Sequence, residues 1–148
     1  MRRLCGEIRD ERGFTLPELL VTVLIIGILA AIAIPAFLGQ QTKATDASAK
    51  ELAHSAEVAA ETYATDVGGY VGLTPTAINQ YEPTIPISAT THSAYVLSVT
   101  NATATGYTIT IKPASGPDLF SLTRTNGAIT RTCTPSSGIS GGCANGSW

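Results

Sequence analysis

Apolar residues dominate one stretch near the amino terminus of the chain. Residues 19–42 hold no charged side chain, and their large apolar residues cover every face of a helix. At 24 residues, this run exceeds the roughly 20 that a bilayer-spanning helix needs. A helix that is apolar all round is buried in lipid or in a bundle of its own kind. The pattern therefore predicts a transmembrane helix or a helix buried in a bundle.

Gly27 and Pro35 interrupt this run and are candidate helix breakers. A proline removes one backbone donor and clashes with the preceding helical turn. The sequence therefore predicts a kink or local melting over residues 31–35. Such breakers are tolerated in membranes where neighbouring groups satisfy the freed backbone atoms.

Helical periodicity continues beyond the apolar run, with smaller residues. A stripe at helical spacing consists of Leu52, Ala56, Ala59, Ala60, Tyr63 and Val67. Most charged residues of this segment fall off the stripe: Lys43, Asp46, Lys50, Glu57 and Glu61. Gly68-Gly69 supplies a stop signal. We therefore expect one helix from Phe14 to Val67, roughly 80 Å long, whose second half packs on a domain and carries His54 on its surface.

Strand patterns follow in the second half of the chain. They cover residues 93–100, 106–112, 118–125 and 128–132. The apolar residues of the first two strands are expected on matching faces: Tyr95, Leu97 and Val99, then Tyr107, Ile109 and Ile111. Asn126-Gly127 predicts a two-residue hairpin turn, because both positions tolerate positive φ.

The segment between helix and strands, residues 70–92, is rich in Gly, Pro and Thr and predicts an irregular connection. Together the patterns predict an α+β fold. A long amino-terminal helix would pack on one face of a small antiparallel sheet of three or four strands, which needs such a cover to be stable.

Charge and motif content exclude several function classes. The chain has 9 Lys and Arg against 11 Asp and Glu, without a basic cluster, so we expect no direct nucleic-acid binding. It also shows no glycine-rich phosphate loop, metal-ligand cluster or nucleophile beside a base. We expect neither catalysis nor a cofactor or metal, and a membrane-tethered enzyme is the weaker hypothesis.

One carboxylate, that of Glu18, lies immediately before the apolar run. Residues 12–18 read Arg-Gly-Phe-Thr-Leu-Pro-Glu, and a carboxylate inside lipid is costly unless its charge is compensated. This heptapeptide resembles the processing site of type IV prepilins and of type II secretion pseudopilins. The resemblance implies that a prepilin peptidase cuts after Gly13 and methylates Phe14. It also implies that Glu18 neutralises the new amino terminus of a neighbouring subunit, whereas the plainer alternative places Glu18 at the lipid headgroups.

The resemblance also implies how the chain is organised. Residues 1–13 would be a leader peptide, 14–42 a transmembrane and filament-core helix, and 43–148 a soluble head. The stretch from Gly27 to Pro35 would lose helicity in the filament. A single-pass precursor in the cytoplasmic membrane would become part of a surface filament with the help of the peptidase, an inner-membrane assembly platform and motor ATPases.

Three cysteines divide unevenly along the chain. Cys5 lies upstream of Gly13, whereas Cys133 and Cys143 lie near the carboxyl end. Cleavage after Gly13 would remove the odd cysteine, and the remaining pair in an exported domain is most simply a disulfide. The pair also resembles the disulfide-bounded carboxyl-terminal region of many type IV pilins.

The leading hypothesis is thus a structural subunit that self-associates into a type IV pilus-like filament. The alternatives are a pseudopilin of a type II secretion system and a minor or competence pilin involved in DNA uptake. A calcium loop of clustered acids near the carboxyl end would favour the pseudopilin, yet after residue 82 the chain has Asp118 alone. The cysteine pair favours the pilin.

Overall fold

The computed structural model describes residues 13–89, 92–134, 142–143 and 146–148. Nearly all of the expected leader therefore lies outside the described residues. The elements are the helices α1 (Leu16–Val67) and α2 (Pro75–Tyr81) and the strands β1 (Ala94–Thr100), β2 (Gly106–Pro113), β3 (Leu119–Thr125) and β4 (Ala128–Thr134).

Helix α1 passes through two compact units, one that ends at Ala36 and one from Phe37 to Trp148. In the first unit, every large apolar side chain from Phe14 to Ile34 is more than half exposed. Among the described residues, α1 is the one helix long and apolar enough to cross a membrane.

The helix continues without a break through Gly27 and Pro35. Of the two predicted alternatives at residues 31–35, local melting is therefore wrong for the single chain, and the kink stays a prediction. Proline removes one helical hydrogen bond, and the bonds before and after it suffice to keep the backbone helical.

In the second unit, alanines line the face of α1 that packs on the sheet. Ala49, Ala53, Ala56 and Ala60 are completely buried. The predicted stripe was thus placed slightly off: Leu52 and Tyr63 flank the contact, and Val67 is 55% exposed. The most deeply buried line of α1 therefore follows the alanines rather than the larger residues.

The four strands form one antiparallel sheet in the order β1-β2-β3-β4. This confirms the predicted antiparallel sheet of three or four strands, and the predicted strand bounds agree with the observed ones to within two residues. The sheet contributes fully or almost fully buried side chains to the core: Val96, Tyr107, Ile109, Ile111, Phe120 and Leu122.

The predicted inward face of β1 is wrong in its first half. Ala94 and Val96 are buried, whereas Leu97 is 44% exposed. The pairing with β2 shifts register between Val96 and Ser98, which marks a bulge. An extra residue reverses the alternation of faces, so Val99 packs against the core beyond the bulge as predicted.

The turn between β3 and β4 is the predicted two-residue hairpin. Asn126 and Gly127 both have positive φ, 49° and 88°, and Thr125 pairs with Ala128. Positive φ at both central positions is the geometry that matches the twist of the two strands.

The connection between α1 and β1 is less irregular than expected, because it contains α2. Thr74 caps this helix, its Oγ1 accepting a hydrogen bond from the Ala77 N–H at 3.1 Å, and Pro75 occupies the first turn. Ile78 is fully buried and fixes α2 to the core. The Thr74-Pro75 pair is the signal that could have revealed the helix.

Candidate functional site

The first turn of α1 holds the carboxylate that the sequence singles out. Glu18 Oε2 accepts hydrogen bonds from the Thr15 N–H at 2.8 Å and from the Thr15 hydroxyl at 2.6 Å. The Leu19 N–H donates to the Thr15 carbonyl at 3.2 Å, which makes Thr15 the residue that caps the helix. Thr15 and Glu18 thus have the Thr-x-x-Glu spacing of a capping box, a sequence signal for the start of a helix.

Phe14 lies just before this helix and is 88% exposed. The expected start of the helix at Phe14 is therefore wrong by two residues, because the cap at Thr15 makes the helix begin at Leu16. Gly13 is likewise outside the helix, and a Cβ built on it would meet no heavy atom within 4 Å. Within the part of the chain that the structure describes, the Gly13–Phe14 bond thus lies in uncrowded, non-helical backbone.

The remaining residues singled out in the first unit are helical. Gly27 and Pro35 both lie within α1, and a Cβ on Gly27 would also meet no heavy atom within 4 Å. The structure therefore does not bring the helix breakers together with the processing residues. They lie along one exposed apolar helix.

The carboxyl end is tied to β4. Cys133 and Cys143 form a disulfide with their Cα atoms 5.7 Å apart, and both are largely buried. The Cys133 N–H donates to the Gly146 carbonyl at 2.9 Å. The Trp148 indole N–H donates to the Thr132 carbonyl, also at 2.9 Å. The described part of the tail is thereby held along the edge of the sheet.

Two ion pairs, which the sequence did not reveal, connect α1 to the sheet. Glu57 and Glu61 are one helical turn apart, and they face Arg131 of β4 at 3.2 Å and Arg124 of β3 at 2.9 Å. All four side chains are partly exposed, so each pair adds little stability on its own. Together they join one side of the helix to two neighbouring strands of the sheet.

Glu61 also accepts hydrogen bonds from two tyrosines. The hydroxyl of Tyr70 donates at 2.9 Å and that of Tyr107 at 3.3 Å, and the two rings are in an edge-to-face arrangement 4.7 Å apart. Burial, followed by the negative charge of Glu61, raises the pKa of Tyr107. The Tyr107 hydroxyl therefore stays protonated and remains a donor at alkaline pH. His54, by contrast, is a surface residue of α1 as predicted, with an exposed side chain.

Comparison with known proteins shows which family the chain belongs to. Residues 8–34 match the family model described as the prokaryotic N-terminal methylation motif. The type IV wide pilus major component PilA4 of Thermus thermophilus is 30% identical over 128 residues, which cover 82% of this chain and 93% of that protein. The chain belongs to the type IV pilin family.

Two further relatives support the assignment. The fimbrial protein EcpC of Eikenella corrodens is 29% identical over 122 residues, which cover 75% of this chain and 80% of that protein. The type IV major pilin PilA of Myxococcus xanthus is 38% identical over 77 residues, covering 48% of this chain and 35% of that protein. No solved structure shows a significant match. The three relatives are named as pilus or fimbrial proteins, which are structural rather than enzymatic.

Proposed function

We propose that this type IV pilin is a structural subunit of a surface filament, built by lateral packing of its amino-terminal helices. The observation that carries the proposal is the exposed, all-round apolar part of α1, most of which lies within the match to the methylation motif at residues 8–34. An apolar helix of this kind needs lipid before assembly and needs other helices after it. Contacts that do not close into a ring generate a filament.

Processing converts the precursor into the subunit. A prepilin peptidase cuts after Gly13 and methylates Phe14, which divides the chain into a leader (1–13), a core helix (14–42) and a head (43–148). The non-helical backbone at Gly13, with no described heavy atom close to it, supports this proposal, because a peptidase must reach the bond that it cuts. The capped helix beginning at Leu16 keeps the scissile bond outside helical structure.

Glu18 then serves as the acceptor for a positive charge. Cleavage creates an amine at Phe14, and in the filament Glu18 of one subunit pairs with the amine of its neighbour. An unpaired charge in a water-free core is much less favourable than a paired one, so this contact selects the correct stagger between subunits. The bonds from Thr15 support the role, because they hold the carboxylate at the amino end of the helix.

The stretch from Gly27 to Pro35 is the part of α1 that unwinds on assembly. It is helical in the single chain, but Pro35 leaves one carbonyl of the preceding turn without its usual donor. Glycine has the largest backbone freedom and weakens a helix by roughly 1 kcal/mol relative to alanine. These two positions make this stretch the least stable part of the apolar helix.

The precursor is a single-pass protein of the cytoplasmic membrane, and the mature subunit belongs to a filament at the cell surface. Its partners are copies of itself, the peptidase, an assembly platform in the inner membrane and motor ATPases that supply the energy. The head has no catalytic role. The pilus names of the relatives favour this reading over a secretion pseudopilin or a competence pilin.

Electron microscopy of cells that carry variants of Glu18 tests the proposal. Glu18→Gln keeps an oxygen that can accept the Thr15 N–H but removes the charge, so membrane insertion is expected to be normal while surface filaments fall at least tenfold. Glu51→Gln, which removes an exposed carboxylate from the same helix, is the matched control and should assemble normally. Normal filaments from Glu18→Gln would refute the charge-pairing role. If a strain that lacks this gene keeps its surface fibres but fails to secrete, the chain is a subunit of a secretion filament and not of a pilus.

A further inference from the structure

Pro17 is the second residue of α1. In an α-helix each N–H donates to the carbonyl four residues earlier, so the helical partner of residue 17 would be the Gly13 carbonyl. Proline has no N–H to donate, and inside a helix its ring clashes with that same carbonyl. Both effects of Pro17 therefore fall on the Gly13 carbonyl, which belongs to the bond that the proposed processing cuts.

The observed start of α1 agrees with this effect. Gly13, Phe14 and Thr15 are non-helical, and α1 begins at Leu16. Pro17 thus lies in the first turn, where an N–H would have no helical partner and its absence costs nothing. A helix that began one turn earlier would place Pro17 in its interior, where proline is much less favourable than alanine.

The cap at Thr15 does not by itself prevent a longer helix. Its two hydrogen bonds to Glu18 can be exchanged for backbone bonds, since each residue added to an existing helix gains one hydrogen bond. Residues 7–12 include two Glu and two Arg, which are good helix formers. Gly13 weakens a helix but can still adopt helical angles. The steric block at the Gly13 carbonyl comes from Pro17.

Cleavage of a peptide bond needs an accessible carbonyl. Hydrolysis adds water to the Gly13 carbonyl carbon and breaks its bond to the Phe14 nitrogen. Water supplies the hydroxyl of the new carboxyl group on Gly13 and a proton of the new amine on Phe14. Negative charge builds up on the Gly13 oxygen before the bond breaks, and the peptidase stabilises it with donors of its own. A helical bond from residue 17 would turn this oxygen along the helix axis, away from those donors.

We propose that Pro17 is a positioning residue for processing, which keeps the Gly13 carbonyl out of the helix so that the peptidase can reach the bond to Phe14. This role rests on the proposed cleavage after Gly13. Two residues, Phe14 and Thr15, separate the proposed cut from the first residue of α1. A helix longer by a single turn would therefore include the cut, and Pro17 lets a long helix and a cleavable bond lie next to each other.

Cleavage kinetics of the full-length precursor in detergent micelles, with a purified prepilin peptidase, test this role. The apparent dissociation constant of the precursor rises as the fraction with a non-helical Gly13 falls, and KM follows it where chemistry is slower than release. Pro17→Ala should therefore raise KM by about threefold or more and leave kcat unchanged. Pro17→Gly should give an intermediate KM, because glycine is a poorer helix former than alanine. Direct contact between the peptidase and the proline ring would instead make glycine at least as poor as alanine.

The NMR signal of the Gly13 carbonyl measures the same equilibrium without the peptidase. Gly13–Phe14 is the one Gly-Phe pair of the chain, so labelling glycine with ¹³C at the carbonyl and phenylalanine with ¹⁵N gives a single correlated signal. In Pro17→Ala this signal should move towards helical values, and in Pro17→Gly it should move less. Val21→Ala introduces a better helix former one turn further along α1, so this matched control should leave both the signal and KM unchanged.

The possible results separate the role of Pro17 from the proposed function. An unmodified precursor that the peptidase does not cut after Gly13 would overturn both. If the unmodified precursor is cut there and Pro17→Ala has the same KM, or the same Gly13 signal, the role of Pro17 alone is overturned. A fall in kcat at constant KM, or a Pro17→Gly precursor as poor as Pro17→Ala, would show direct contact with the peptidase and would overturn the positioning role as well.

Discussion

Replacing both Cys133 and Cys143 with serine should destabilise the head by an amount that can be worked out from the sequence separation of the bond. The two cysteines are 10 residues apart. In the chain-entropy model, a disulfide that closes a loop of this size raises the free energy of unfolding by about 2.7 kcal/mol, because the bond restricts the unfolded chain. For a folding unit of about 110 residues, such as Phe37–Trp148, this loss corresponds to a fall in Tm of roughly 11 °C.

The assay is thermal unfolding of the unprocessed chain in detergent, followed by Trp148 fluorescence. Trp148 suits this purpose because its indole N–H is bonded to the Thr132 carbonyl, one residue from the disulfide. The unmodified chain in a strong reductant should match the double variant. Cys5→Ser, which changes the third cysteine of the chain, is the matched control and should unfold like the unmodified protein. A fall of less than about 3 °C in the double variant would refute the stabilising role assigned to the disulfide.

Two further predictions concern the contact between α1 and the sheet. Ala53 is completely buried, so Ala53→Leu should overpack the contact and lower the free energy of unfolding by about 1–3 kcal/mol, measured by denaturant unfolding. Ala47→Leu, on the exposed side of α1, is the control and should change the free energy of unfolding by less than about 0.5 kcal/mol. The second prediction follows from the raised pKa of Tyr107. Above about pH 10 the unfolded chain loses the tyrosine proton while the folded chain keeps it, so stability should fall as the pH rises, and Tyr107→Phe should reduce this alkaline loss. Equal effects of the two leucine substitutions, or the same alkaline slope in Tyr107→Phe, would contradict these predictions.

The elements of the fold could be predicted because their signals are local. The apolar run of residues 19–42 indicates its helix without reference to any other part of the chain. Gly68 ends α1 with a positive φ of 84°, and Asn126-Gly127 forms the hairpin turn, because few other residues tolerate these conformations. Alternation in β2 likewise identified the buried face of that strand, which carries Tyr107, Ile109 and Ile111.

Features that depend on contacts between distant segments could not be predicted. Asp46 was placed off the buried stripe, because periodicity shows the direction of a side chain but not how far the β2–β3 connection and Gly142 reach over the helix. The bulge after Val96 has no marker in the sequence, since Gly and Pro are absent from β1. The late start of α1 at Leu16 is a different case, because the Thr15-x-x-Glu18 spacing was available and indicates the cap.

The most direct test of the central claim is mass spectrometry of filaments sheared from the surface of cells that express this chain. If the chain is the processed structural subunit, its amino-terminal peptide in the filaments should begin at N-methylated Phe14 and should contain none of residues 1–13. Filaments that lack peptides of this chain would contradict its role as the subunit. A retained leader in assembled filaments would contradict the claim that a new amine at Phe14 pairs with Glu18.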